Sequence, residues 1–160
     1  ELSPYAMSKY MGEVWIKIER RLFGLNAEIV RFYNVYGPGE LVHSHMAAII
    51  GIWRAQAEKN YPITIIGDGE QRRDFTHIND IVDGLIKITE SNEKHEDAWE
   101  LGTGCNYSIN EVARMFNYDK IKHIEDVRGN YKETIRINDD ALNRLGWSPK
   151  DKLKEYIESL

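Results

Sequence analysis

The chain has 160 residues, 42% hydrophobic and 29% charged, with a net charge of -5. That balance suits one compact domain with a real core and argues against a general nucleic-acid surface, which needs net basic charge. No run approaches the roughly 18 apolar residues of a membrane span, and Cys105, the only cysteine, allows neither an internal disulfide nor a Cys-based zinc cluster.

A lone cysteine fits a reducing compartment, so a cytoplasmic setting is expected. The chain opens Glu1-Leu2-Ser3-Pro4, with no initiating Met and no secretory signal. A fragment or a processed chain is expected from that opening.

The first predicted element is a long helix. Ser3 is placed to cap it and Pro4 to occupy its first position, where a missing N–H costs nothing. Met7, Met11, Val14, Trp15, Ile18 and Leu22 then recur at three- and four-residue spacing, and Gly24 and Asn26 stop the helix. Ala27 to Tyr33 reads as a buried strand ended by Gly37-Pro38-Gly39. A second helix is predicted over 45–58. Strands follow over 62–66 and 73–78, with the Gly67-Asp68-Gly69 turn between them.

Asn79 to Thr89 reads as helix, with Asp80 near its start, and 91–97 as a charged loop. Trp99 to Leu101 is a brief strand into Gly102-Thr103-Gly104. Ser108 and Glu111 have the spacing of a capping box and launch a helix to Phe116. Ile121 to Glu125 reads as strand, and short helices are expected near 139–145 and 151–159. Strands and helices alternate, which predicts an α/β fold.

Tyr5 and Lys9 are four residues apart on the first helix, so both leave one face. A neighbouring ammonium favours phenolate over phenol, the state in which a tyrosine can act as general base. The spacing alone is weak evidence, and a half-buried aromatic beside a solvated charge is the commoner reason for it. The residues that follow add weight. They include Arg31-Phe32-Tyr33-Asn34-Val35-Tyr36-Gly37-Pro38, then Ile65-Ile66-Gly67-Asp68-Gly69-Glu70-Gln71-Arg72-Arg73-Asp74-Phe75. Leu101-Gly102-Thr103-Gly104, Ser108-Ile109-Asn110-Glu111 and Leu145-Gly146-Trp147-Ser148-Pro149 complete the series.

In this order the set resembles the extended short-chain dehydrogenase/reductase family, and within it the NAD-dependent nucleotide-sugar epimerases and dehydratases. The resemblance implies the C-terminal part of a Rossmann-like fold: the last part of the parallel sheet plus a small mixed α/β substrate-binding region. Residues 1–37 would end the NAD-binding core and 38–160 would form mainly the nucleotide-sugar region. By resemblance Tyr5 is the acid/base and Lys9 holds the nicotinamide ribose, and both, with Tyr33, contact the cofactor. Asn34, Thr64, Ile66, Arg73 and Arg128 would contact the substrate, Arg73 as a planar fork on its diphosphate. Ile66 stands where many relatives have a base-stacking tyrosine. Arg128-Gly129-Asn130 departs from the family's Arg-Pro-Gly-Asp, and Glu100 replaces a common asparagine.

The resemblance further implies NAD rather than NADP, transient oxidation at sugar C4, and a homodimer formed through the Tyr-Lys helix. No metal, nucleic-acid or membrane partner is expected; the His43-x-His45 pair lacks the further ligands of a metal site. Neither Gly37-x-Gly39 nor Gly102-x-Gly104 is a dinucleotide fingerprint. The isolated chain is therefore expected to bind NAD poorly and to turn over little. Two alternatives stay open: a non-catalytic module that binds a nucleotide sugar or a partner chain, and an NADP-dependent nucleotide-sugar reductase.

Overall fold

The structure is a computed structural model that describes residues 3–44, 46–127 and 129–160. Helix α1 spans Pro4–Phe23. Its ends follow local chemistry. The Ser3 hydroxyl accepts from the Ala6 N–H, and Gly24 closes the helix in the left-handed conformation.

Strands β1 (Val30–Phe32) and β2 (Val35–Tyr36) follow, then α2 (Ile49–Glu58), β3 (Ile63–Ile66), β4 (Arg72–Asp74) and β5 (Thr76–His77). Next come α3 (Ile78–Glu90), β6 (Trp99–Leu101), β7 (Asn106–Ser108), α4 (Ile109–Phe116) and β8 (Ile121–Ile124). Helices α5 (Asp140–Leu145) and α6 (Leu153–Glu158) finish the chain.

The strands form parallel pairs β1–β6, β2–β5 and β3–β8 and one antiparallel pair, β4–β7. Parallel pairs joined through helices make this an α/β chain of Rossmann-like type. One apolar cluster gathers Trp53, Ile63, Ile65, Phe75, Val112 and Leu153, packing α2, α4 and α6 on β3. A second gathers Ile81, Ile88, Trp99, Leu101 and Trp147, with Val30 and Val35 against it.

Several boundaries differ from the predicted ones. The helix predicted over 45–58 starts at Ile49, after an extended Ala48 with no side-chain cap, and His45 lies outside the described residues. The strand predicted over 73–78 is broken at Phe75, because β4 pairs with β7 while β5 pairs with β2. Helix α3 is capped by His77, whose Nδ1 accepts from the Asn79 N–H at 3.2 Å, so Asp80 sits in its first turn. The Ser108–Glu111 capping box is present in full.

Candidate functional site

Tyr5 and Lys9 lie in the first turns of α1. The Lys9 ammonium is 5.4 Å from the centre of the Tyr5 ring, and Tyr5 is 71% exposed. Helical spacing brings the two together, and both remain open to an incoming group. A phenol and an ammonium on one face form a pair of exposed proton donors. The three-glycine turn that cradles a dinucleotide pyrophosphate does not occur in these 160 residues.

A cavity of about 360 Å³ lies between α2 and the β3–β8 pair. It brings together Asn34, Thr64, Ile66 and Arg73, four of the five residues expected to contact substrate. The fifth, Arg128, lies outside the described residues. Tyr5, Lys9 and Tyr33 are not among the residues that line it.

The cavity is two-natured. Five isoleucines (49, 52, 66, 109 and 124) supply aliphatic walls, whereas Asn34, Gln71, Arg73 and Asn130 supply polar groups. Arg73 donates Nη2 to the Asn130 side-chain oxygen and Nη1 to the Arg72 carbonyl, both at 2.8 Å. Burial lowers its pKa from the ordinary value, yet a guanidinium remains protonated in proteins. Among the described residues no carboxylate pairs with it, so its charge is available to an anion. Asp74, next along β4, points elsewhere. It is fully buried and accepts from the Thr103 N–H and hydroxyl and from the N–H groups of Gly104 and Arg136.

Thr64 is held by α2. Its N–H donates to Gln56, its hydroxyl accepts from Gln56 at 3.0 Å, and its carbonyl accepts from Trp53 at 2.8 Å. Ile66 offers the cavity an aliphatic wall, and its carbonyl accepts from Gln71. The Asn34 side chain makes no hydrogen bond among the described residues.

Gln71 and Asn130 were not predicted from sequence to contact substrate. Gln71 lies in the Gly-Asp-Gly-Glu-Gln-Arg-Arg-Asp run and Asn130 beside the departure at Arg128, so both had a local signal but no assigned role. The two also line a neighbouring cavity of about 250 Å³ with Gly67, Asp68, Asp126 and Lys132.

Tyr33 sits at the end of β1. Its N–H donates to Leu101 at 3.4 Å, and its phenol donates to Glu100 at 2.9 Å. Burial first, and then the Glu100 carboxylate, push its pKa well above the ordinary tyrosine range. Tyr33 is therefore a protonated donor at neutral pH, unsuited to acid/base exchange. His43 pairs with Glu58 at 3.2 Å, and no metal-binding group of side chains occurs among the described residues. Among the described residues no helix is long and apolar enough to cross a membrane.

Comparison with known proteins is consistent with this geometry. Residues 1–102 match the NAD dependent epimerase/dehydratase family. A provisionally named UDP-glucose 4-epimerase of Methanocaldococcus jannaschii is 37% identical over 98% of this chain and 52% of its own length. The UDP-glucose 4-epimerase of Thermotoga maritima, solved with UDP-glucose, superposes with a TM-score of 0.86 at 27% identity, covering 98% of this chain and 52% of that one. The UDP-glucuronic acid 4-epimerase of Bacillus cereus, solved with UDP-glucuronic acid and NAD, gives 0.87 at 26% identity, covering 98% and 51%. The chain thus spans about half the length of the relatives it matches. On the family match, the ordered motifs and the shared fold, this chain belongs to the NAD dependent epimerase/dehydratase family, a branch of the extended short-chain dehydrogenases/reductases.

Proposed function

We propose that the protein carrying this chain is an NAD-dependent epimerase or dehydratase acting on a nucleotide-diphosphate sugar by transient oxidation at C4. The observation that carries the reading is the cavity holding Asn34, Thr64, Ile66 and Arg73, in a chain that also presents the open Tyr5–Lys9 pair.

Bound NAD supplies the hydride acceptor and donor. Tyr5 takes the proton from the sugar hydroxyl as that carbon is oxidised and returns it on reduction. Lys9 holds the nicotinamide ribose and keeps positive charge beside the phenol. Arg73 binds the diphosphate, Asn34 the sugar side, and Thr64 and Ile66 the base, with Arg128 a second phosphate contact. Residues 1–37 serve the cofactor side and 38–160 mainly the substrate side. The protein works as a homodimer through α1, whose apolar row at Met7, Met11, Val14, Trp15, Ile18 and Leu22 faces outward.

Relatives of several reaction types support a nucleotide-sugar substrate. They include a GDP-mannose 3,5-epimerase of Arabidopsis thaliana, 32% identical over 96% of this chain and 41% of its own length. A second reading, reduction of a keto sugar, has its own support. A dTDP-4-dehydro-6-deoxy-D-allose reductase of Streptomyces bikiniensis is 35% identical over 69% of this chain and 33% of its own length.

The test is incubation of the complete protein with UDP-, dTDP- and GDP-sugars, with and without NADPH. Epimers or 4-keto-6-deoxy products formed without NADPH are expected. NADPH-dependent consumption of a keto sugar would select the reductase. Inactivity on every sugar nucleotide would overturn the assignment.

A further inference from the structure

Helix α1 is attached to the rest of the chain in an unusual way. None of its 20 residues is buried. Met7, Met11, Val14, Trp15, Ile18 and Leu22, the apolar row read from sequence, are all exposed, Trp15 at 68%. The half-buried side carries Glu13, Ile16, Lys17 and Arg20 instead, at the three- and four-residue spacing of one helix face. An amphipathic helix normally docks through its apolar stripe; this one docks through charge.

The contacts are specific. Glu13 takes a two-pronged bond from Arg31 on β1, Nε to Oε1 at 2.9 Å and Nη2 to Oε2 at 2.5 Å. The same guanidinium reaches Asp97 at 2.9 Å, and Asp97 is also gripped by Lys17. Arg20 donates to the His95 carbonyl at 2.8 Å. On the strand side, Arg31 is in register with Glu100 of β6, whose carboxylate lies 3.6 Å away and accepts the Tyr33 phenol. A chain of charges therefore runs from α1 to the strand end occupied by Tyr33.

Tyr5, Lys9, Glu13 and Lys17 form one row of four-residue steps. Glu13 lies about 6 Å along the axis from Lys9. Every anchor just described lies C-terminal to Lys9, so the phase of the first turns is inherited from those anchors. The exposed apolar row does not resist a roll of the helix, whereas a bidentate carboxylate–guanidinium pair has a fixed geometry that does.

We propose that Glu13 and Arg31 are positioning residues: their ion pair sets the rotation of α1 over β1 and so aims Tyr5 and Lys9 at the strand ends carrying Tyr33 and Asn34. This rests on the reading of Tyr5 and Lys9 given above. Neither residue touches substrate or cofactor in this role; both act through the helix.

The test has two readouts in the complete protein. With UDP-glucose as probe, Glu13→Gln keeps side-chain volume but loses the charge. It is expected to lower kcat by about 10- to 100-fold, the scale of an ångström-level misplacement, with KM changed by less than about threefold. Arg31→Lys, which keeps charge but loses the fork, should do the same. The double variant should be no worse than the poorer single, as expected of residues acting as one unit. Amide hydrogen exchange of residues 6–12 in ligand-free protein should quicken by about tenfold in Glu13→Gln, a readout that needs no turnover and also covers a poorly folding Arg31 variant. A wild type silent on UDP-glucose and on other sugar nucleotides would remove the catalytic reading, and the exchange data would then judge the anchor alone. The positioning role is overturned if kcat stays within twofold, if the loss falls in KM, if the two losses multiply, or if exchange is unchanged.

Discussion

The phenol of Tyr33 donates a 2.9 Å hydrogen bond to Glu100, a carboxylate only 1% exposed that also accepts the Ile137 N–H at 2.7 Å. Two donors therefore share one buried acceptor at the end of β1. Glu100→Ala leaves both without a partner and should cost about 3 kcal/mol, because each orphaned buried donor is expensive. Tyr33→Phe removes only one donor and leaves Glu100 with Ile137 and Arg31, so about 1 kcal/mol is expected. Urea unfolding of the two variants tests that asymmetry.

Arg73 is different. Its partners are the neutral oxygens of Asn130 and Arg72, so its charge is not spent inside the protein among the described residues. Arg73→Gln should change the unfolding free energy by less than about 1 kcal/mol, the worth of an ordinary hydrogen bond. It should weaken UDP binding by about 30- to 100-fold, or about 2–3 kcal/mol, as loss of a half-buried charge partner does. Isothermal titration with UDP separates the two effects; equal affinity in both proteins would remove Arg73 from the diphosphate site.

Tyr5→Phe deletes a single oxygen from an exposed ring on α1. In the complete protein turnover should fall by at least about 10²- to 10⁴-fold, the span assigned to acid/base catalysis. NAD affinity, followed by fluorescence titration, should stay nearly unchanged. Full activity in the variant would show that another group moves the proton.

The cap of α3 predicts a pH effect. Nδ1 of His77 must be unprotonated to accept from Asn79. Burial, followed by the Lys152 charge, lowers its pKa from the ordinary 6.5, with Asp80 opposing. Because the folded value is the lower one, this contribution is complete above about pH 6.5 and is lost as pH falls through the folded value. His77→Asn keeps an acceptor at the cap and no longer titrates. Its Tm should therefore fall less than that of the parent between about pH 7 and pH 5, and parallel Tm curves would refute the link.

The outward row on α1 predicts assembly. Trp15 is among its most exposed members, and a charge placed there opposes burial in a symmetric interface. Trp15→Glu should shift sedimentation from dimer to monomer without altering the fold seen by circular dichroism. A parent that already sediments as a monomer would leave α1 without that role.

Much of this was legible in the sequence because the signals are local. The Ser3 and Ser108 caps and the Gly24 stop depend on residues within a turn of one another, and each lies where the pattern put it. The Tyr5–Lys9 proximity is likewise a property of helical pitch. Three things needed the tertiary structure. The break at Phe75 arises because β4 and β5 have different partners. Helix periodicity showed that α1 has an apolar row but not which way the row faces; β1 and the loop before β6 chose the charged side, since Arg31 and Asp97 could satisfy Glu13 and Lys17 there. Glu100, an unexplained departure when read alone, acquires its meaning only when parallel pairing sets it beside Arg31 and within reach of Tyr33. Short-range hydrogen bonding and pitch are written residue by residue, whereas the pairing of distant charges depends on which strands and helices the whole chain brings together.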